Sequence, residues 1–404
     1  MNPANPLSYD LDCPVALHPL AFLDEGDGQV TVGRAGTGPY GVFPADAAAL
    51  LARLADGVPL GEAAAWYERE YGESVDVADF LAVLAELDVL LGAGESPVPP
   101  RPVRWRGLGA LLFSPVAWFG YAGLVIAAVL AMVDHPDLRP NATQLFFTPS
   151  LVVVQLFLVF GGIPFVVLHE AFHVLAGRRI GVDSTIRLSR RFVYVVVETS
   201  LDGLAVVPRR RRYLPILAGT VVDVVSAAVL VLLADLLRDP QTGALGLLAR
   251  LSLASAFLIL LRIVWQVFLF LRTDLYYLIV TALRCVDLHE VAFAKLMTTL
   301  RRLLGRPASD VDESEWDPRD RAAARWYVWV LAAGYAAVVA GVFLAVVPAT
   351  AHIAREIAAR TAGHPSGLDL LDTTVFLALI LGQLGLAAYL AVRARRATRP
   401  SLEA

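Results

Sequence analysis

Residues 164–177 read PFVVLHEAFHVLAG. Three polar side chains, His169, Glu170 and His173, interrupt a run that is otherwise almost wholly apolar. Polar groups buried in hydrocarbon cost free energy unless they are paired or ligate a metal. On a helix, residues i and i+4 share a face, so His169 and His173 can bind one Zn²⁺ together, with Glu170 beside them to take a proton from water on the metal. An ion held there lowers the pKa of that water to about 7. The alternative is a chance match in which both histidines bond to neighbouring helices. Ionisable groups inside a membrane span are costly and usually functional, which favours the metal.

That the run is a span follows from what surrounds it. Of 404 residues, 57% are hydrophobic and only 18% charged, against about 25% charged in soluble domains; mean hydropathy is +0.61. Six apolar runs, 108–132, 150–176, 213–237, 251–283, 326–348 and 371–392, each reach the ~20 residues a bilayer requires. Arg-rich segments precede the first run, separate the second from the third and the fourth from the fifth, and follow the sixth. Six spans place all of them on one side, with both termini in the cytoplasm. The expected fold is therefore mainly α: a multi-pass helical membrane protein in a lipid bilayer. Segment 192–207, FVYVVVETSLDGLAVV, is too short and β-branched to span, and its Asp202-Gly203 reads as the turn of a cytoplasmic-side β-hairpin.

Catalytic zinc needs a third protein ligand and an open position. Asp274, in FLRTDLYYLI, is the candidate. His169 lies nine residues before Arg178 and Asp274 ten before Arg284, which puts them ~13 Å and ~15 Å from the same end of their spans at 1.5 Å per residue. The competing role for Asp274 is an ion pair with Arg272. The 251–283 run is long for one span, so a kink or tilt near Arg272 is expected. Asp223, in LAGTVVDVVSA, is a third polar intrusion, suited to contact a substrate carbonyl, to orient a ligand from behind, or to pair with Arg262. His18, His135, His289, His352 and His364 lie outside the spans or at their ends without ligand spacing, and read as surface or core residues. Two cysteines, Cys13 and Cys285, make no disulfide framework and.

Residues 1–91 read as a small soluble domain. QVTVGR and PYGVFP suggest strands around a Gly-rich turn at 35–38. Asp46 is the expected N-cap of a helix closed by Gly57; a second helix follows Pro59 and ends at Gly72; a third starts at Asp76 with Phe80, Leu84 and Leu87 inward. Short strands followed by three helices give a winged-helix-like α+β unit. The strand near Gln29–Arg34 is expected to offer an open edge to a peptide. Residues 92–106, with Pro97, Pro99, Pro100 and Pro102, form a linker. Residues 107–285 form a membrane core, 286–325 a cytoplasmic segment, and 326–404 a last helix pair and tail.

HEAFH in one span, AGTVVD in the next and an Asp in the one after resemble the intramembrane site-2-protease-type zinc metallopeptidases. That family shows His-Glu-x-x-His, a Gly-Pro-x-x-Asn-like element and a Leu-Asp-Gly element. The resemblance covers roughly residues 150–285 and implies His169, His173 and Asp274 as zinc ligands, Glu170 as general base, and Asp223 at the Asn position. This chain departs from the pattern at Thr220, at Asp223 and at Leu275, which follows the Asp where Gly is usual. DGVPLGEAAAWYEREYGESVDVADFLAVLAELDVL is similar to PqqD-like domains, recognition elements for ribosomal peptide precursors. Together the halves resemble the peptide zinc metalloprotease group found with peptide-modification systems. That implies a bacterial cell membrane and a peptide or membrane-protein substrate, in peptide maturation or export.

Two other function classes differ in what they require. A non-proteolytic export module with a structural zinc has no need of Glu170. A membrane-tethered DNA binder needs a basic face, whereas residues 1–99 carry a net charge of −13. DNA affinity comes largely from phosphate neutralisation, so no nucleic-acid partner is expected.

Overall fold

A computed structural model of the chain describes residues 10–26, 28–35, 39–92, 95–96, 102–191, 194–200, 202–307, 313, 316–341 and 367–397, with 343, 351, 355 and 358 as isolated positions. It is mainly helical. Two compact units are formed. One comprises Met1–Phe113, His173–Arg187 and Thr199–Pro215, the other Ser114–Phe172, Leu188–Glu198 and Ile216–Ala404.

The first unit begins with three strands, Leu20–Gly26 (β1), Gln29–Arg34 (β2) and Tyr40–Pro44 (β3), in an antiparallel sheet of order β1-β2-β3. β2 is therefore the central strand and offers no open edge. The expected edge fails because Leu20–Gly26, not foreseen as a strand, pairs along its far side; the edges are β1 and β3. The helices Ala45–Ala55 (α1), Leu60–Tyr71 (α2) and Val77–Glu86 (α3) follow. Val32, Leu51, Leu54, Leu84 and Val89 make their common core. α1 starts after Pro44, so Asp46 is not its N-cap but lies in its first turn, where it complements the helix dipole and. Gly72 takes the left-handed conformation (φ 77°) at the end of α2, and Asp76 accepts from the Ala78 and Asp79 N–H groups at the start of α3.

The remaining helices are Arg106–Leu112 (α4), Pro115–Asp134 (α5), Leu151–Phe160 (α6), Ile163–Arg179 (α7), Arg209–Leu236 (α8), Leu247–Trp265 (α9), Asp274–Leu283 (α10), Leu288–Leu303 (α11), Pro318–Gly341 (α12) and Gly367–Ala397 (α13). The strands Thr185–Arg191 (β4) and Tyr194–Ser200 (β5) pair in a separate two-stranded sheet. The hairpin thus lies earlier than expected, with its connection at 192–193, outside the described residues. Asp202-Gly203 instead opens a short 3₁₀ turn over Asp202–Val206.

Among the described residues five helices are long and apolar enough to cross a membrane: Pro115–Asp134, Leu151–Arg179 (α6 and α7 together), Arg209–Leu236, Leu247–Trp265 and Pro318–Ala340. The sixth expected span falls within α13, whose apolar stretch Leu370–Gln383 is shorter. Several expected runs are divided. Ser114 caps α5 with Pro115 at its first position, separating α4 from α5 and. Gly161 and Gly162 separate α6 from α7. The 251–283 run breaks after Trp265, where a 3₁₀ turn and a left-handed Arg272 (φ 55°) precede α10. One close approach sets the C-terminal end of the HEAFH helix: a Cβ on Gly109 would lie 2.3 Å from the Leu175 carbonyl oxygen, so only glycine lets α4 meet α7 there.

The Tyr67 hydroxyl donates to the Asp46 carboxylate and ties α2 to α1. This bond lowers the Asp46 carboxyl below its usual range and pushes the Tyr67 phenol up to about 12. The lowered carboxyl contributes stability present above an unfolded pKa of about 3.9 and lost as pH falls through the folded value. The raised phenol contributes stability complete below an unfolded pKa of about 10 and lost as pH rises toward the folded value. The opening free energy of α2 in the whole chain, from amide exchange corrected for the intrinsic rate at each pH, is therefore expected to be highest and flat between about pH 5 and 9 and to fall on both sides. Tyr67→Phe should remove this dependence; an unchanged profile would contradict the tie.

Candidate metal centre

α7 buries its three polar residues: His169 is 5% exposed, Glu170 9% and His173 4%. Each histidine is held through Nδ1. His173 Nδ1 lies 2.7 Å from the Pro215 carbonyl oxygen on α8. A carbonyl only accepts, so Nδ1–H donates, and the neutral ring carries its lone pair on Nε2. His169 Nδ1 lies 2.9 Å from Asp223 Oδ2, also on α8, and the same reasoning makes Nε2 its ligand nitrogen and. One turn of helix thus presents two Nε2 lone pairs whose orientation is fixed from behind, the arrangement that sets tautomer and raises basicity in metal-binding histidines.

The third group comes from the break in the 251–283 run. Asp274 is the first residue of α10, and its Oδ2 lies 3.2 Å from His169 Nε2. At that distance the two atoms are joined either by a proton on Nε2 or by a metal ion held between them. The ligand atoms of His169, His173 and Asp274 all fall within 4.8 Å of one another. Two imidazole nitrogens and one carboxylate oxygen are the donor set of a catalytic zinc site with three protein ligands. The residues present therefore fit Zn²⁺, and these are the three that the sequence had marked as ligands.

Gln266 is a partner that sequence reasoning missed. Its side-chain N–H donates to Asp274 Oδ2 (3.2 Å), while its carbonyl oxygen accepts from the Asp274 backbone N–H (3.0 Å). The Thr273 hydroxyl donates to the Gln266 backbone carbonyl (2.6 Å). The two sides of the break are thereby clamped, and the carboxylate is held at the cluster. The signal was present in RIVWQVFLFLRTD: a carboxamide in an apolar run just before a helix restart.

Asp223 takes two of its three expected roles at once. Its Oδ2 accepts from His169 and from Arg262 Nε (2.9 Å), and its Oδ1 accepts from the terminal guanidinium nitrogen of Arg262. At 1% exposure with both oxygens engaged, it is a positioning residue behind the first histidine. No described contact supports a substrate-facing role. Arg272, the competing partner expected for Asp274, pairs with Glu290. His289 faces the Tyr327 hydroxyl and stacks on Phe293, apart from the cluster.

Set against known proteins, the chain matches no family model, no curated protein and no solved structure.

Orienting residues of this kind typically contribute 10–100-fold to metal affinity, so Asp223→Asn should weaken zinc binding by about that factor. Arg262→Met leaves the Asp223 carboxylate buried without its cation, a loss of about 3–5 kcal/mol. The double variant Asp223→Asn/Arg262→Met should recover stability but not zinc affinity. Thermal unfolding and competitive zinc titration of the four proteins test this; full additivity would dismiss the linkage.

Proposed function

We propose that this chain is a membrane-embedded zinc metalloendopeptidase that cuts a peptide or membrane-associated protein near the cytoplasmic face. The observation that carries this reading is the His169–His173–Asp274 cluster with Glu170 on the same helical turn. A ligand set alone suits a structural metal as well. The buried Glu170 carboxylate, which ligation does not require, favours hydrolysis.

Bound at this cluster, zinc supplies a Lewis acid that polarises a carbonyl and acidifies water. The protein's own groups do the rest. His169 and His173 present Nε2, held by Asp223 and Pro215. Asp274, held by Gln266, completes the donor set. Glu170 takes a proton from the attacking water and passes it to the leaving amine, so that one carboxylate serves as base and then as acid. The apolar surroundings of α7 exclude bulk water and strengthen each of these electrostatic contacts.

The five long apolar helices support insertion in a bilayer, and the arginines at 178–179 and 209–212 support a cytoplasmic location for the ends of α7 and α8 and. The N-terminal unit is proposed to recruit the substrate. Its β3 edge is flanked by the end of α3, where Leu87 packs against Gly41, leaving a strand to which an extended peptide can add and.

Two experiments test this. Glu170→Gln should retain about one zinc per chain while cleavage falls at least ~10²-fold, the contribution of a general base. Asp274→Ala should lose zinc itself. Protein that holds no zinc, or Asp274→Ala that keeps it, removes the assignment. For orientation, Cys13 and Cys285 are replaced by serine and single cysteines placed at exposed Arg210 and Gln241. In whole cells an impermeant thiol reagent should label position 241 and spare position 210. The reverse pattern would put the metal site nearer the outer face.

A further inference from the structure

The N-terminal unit holds a cavity of about 280 Å³ where residues 15–20 cross the end of α1, with Val15, Leu17, His18, Leu20 and Leu54 among its walls. His18 is 3% exposed, and neither of its ring nitrogens has a hydrogen-bond partner among the described residues. Buried polar atoms are almost always satisfied, so a doubly unsatisfied imidazole lining a cavity points to something that enters it. Glu95 Oε1 lies 3.7 Å from His18 Nε2, too far for a hydrogen bond and. The other Glu95 oxygen accepts from the Gly92 N–H (3.1 Å), which holds the carboxylate beside the ring.

The charge of the ligand follows from its surroundings. The cavity sits at the C-terminal end of α1, formed by Leu54, Ala55 and Gly57, where the helix dipole is negative and favours cations and. Glu95 does not line the cavity but adds a full negative charge next to His18, which does, and residues 1–99 carry a net −13. The other lining side chains are aliphatic, and backbone polar groups share the surface with them. A cation on an apolar stem answers every one of these features. Two acceptors 3.7 Å apart lie within reach of a single ammonium nitrogen at bond lengths of about 2.8 Å and. A guanidinium fork prefers both oxygens of one carboxylate, and one oxygen here is already occupied by Gly92 and.

We propose that this cavity binds the side chain of a lysine carried by a peptide. The alkyl stem lies along Val15, Leu17, Leu20 and Leu54, and the ammonium donates to the unprotonated nitrogen of His18 and to Glu95. The site is separate from the β3 edge and gives the N-terminal unit a side-chain preference. This use rests on the recruitment reading above, whereas the binding itself does not depend on cleavage.

The test uses the full chain carrying Glu170→Gln in detergent, observed by saturation-transfer NMR. The probe is N-acetyl-lysine methylamide; the norleucine and arginine analogues are the controls. Saturable transfer to the lysine side-chain protons is expected, with none for norleucine and weaker binding for arginine. Glu95→Gln, a change at a half-exposed position that leaves the core intact, should weaken binding at least about tenfold, as should His18→Leu. No saturable signal, equal binding of norleucine or arginine, or unchanged binding in Glu95→Gln would overturn the assignment. Lysine binding in a protein whose wild-type form holds no zinc would sustain this site while removing the protease reading.

Discussion

The structure depends on how one carboxylate is kept in an apolar interior. Asp223 is almost fully buried on α8, and it persists there because His169 and Arg262 donate to it from α7 and α9. An isolated carboxylate in such a setting would be prohibitive, and a buried ion pair seldom stabilises beyond an apolar replacement. What the pair secures is arrangement: three helices are held in one register, with the imidazole turned so that Nε2 faces Asp274. On the other side of the cluster Gln266 performs the same task for Asp274 without charge. The His169–His173–Asp274 cluster is thus braced from two directions by groups outside it.

Much of the candidate site was legible in the sequence, because the cost of polar atoms in hydrocarbon leaves few interpretations open. His169, Glu170, His173, Asp223, Arg262 and Asp274 all stood out as intrusions into apolar runs, and the cluster gathers the three expected ligands. Gln266 escaped notice because a neutral carboxamide carries no comparable penalty. The choice among roles for Asp223 was not decidable in one dimension, since its partners lie 54 and 39 residues away.

The fold was legible to the extent that punctuation was read. Gly57, Gly72 and Asp76 end and begin helices as their chemistry requires. Ser114-Pro115 and Gly161-Gly162 are equally clear breaks, yet each sits inside a hydrophobic run whose length invited a single span. Leu20–Gly26 was missed because LAFLDEG ends in acidic residues and glycine, poor strand formers that the antiparallel pairing with Gln29–Arg34 overrides and. That one omission turned a central strand into a supposed edge.

The start of α6 has a consequence for how the protein is made. Its first free N–H groups, on Leu151 and Val152, are satisfied by the Asp372 carboxylate of α13, which also accepts from the Ser150 hydroxyl. Those partners are separated by 220 to 222 residues. At about 5–20 residues per second, translation delivers Asp372 some tens of seconds after Ser150. Until then the Ser150 hydroxyl caps only the Val153 N–H, and the Leu151 and Val152 N–H groups lack this partner. The first turn of α6, the helix before the one that carries HEAFH, is thereby completed only late in synthesis.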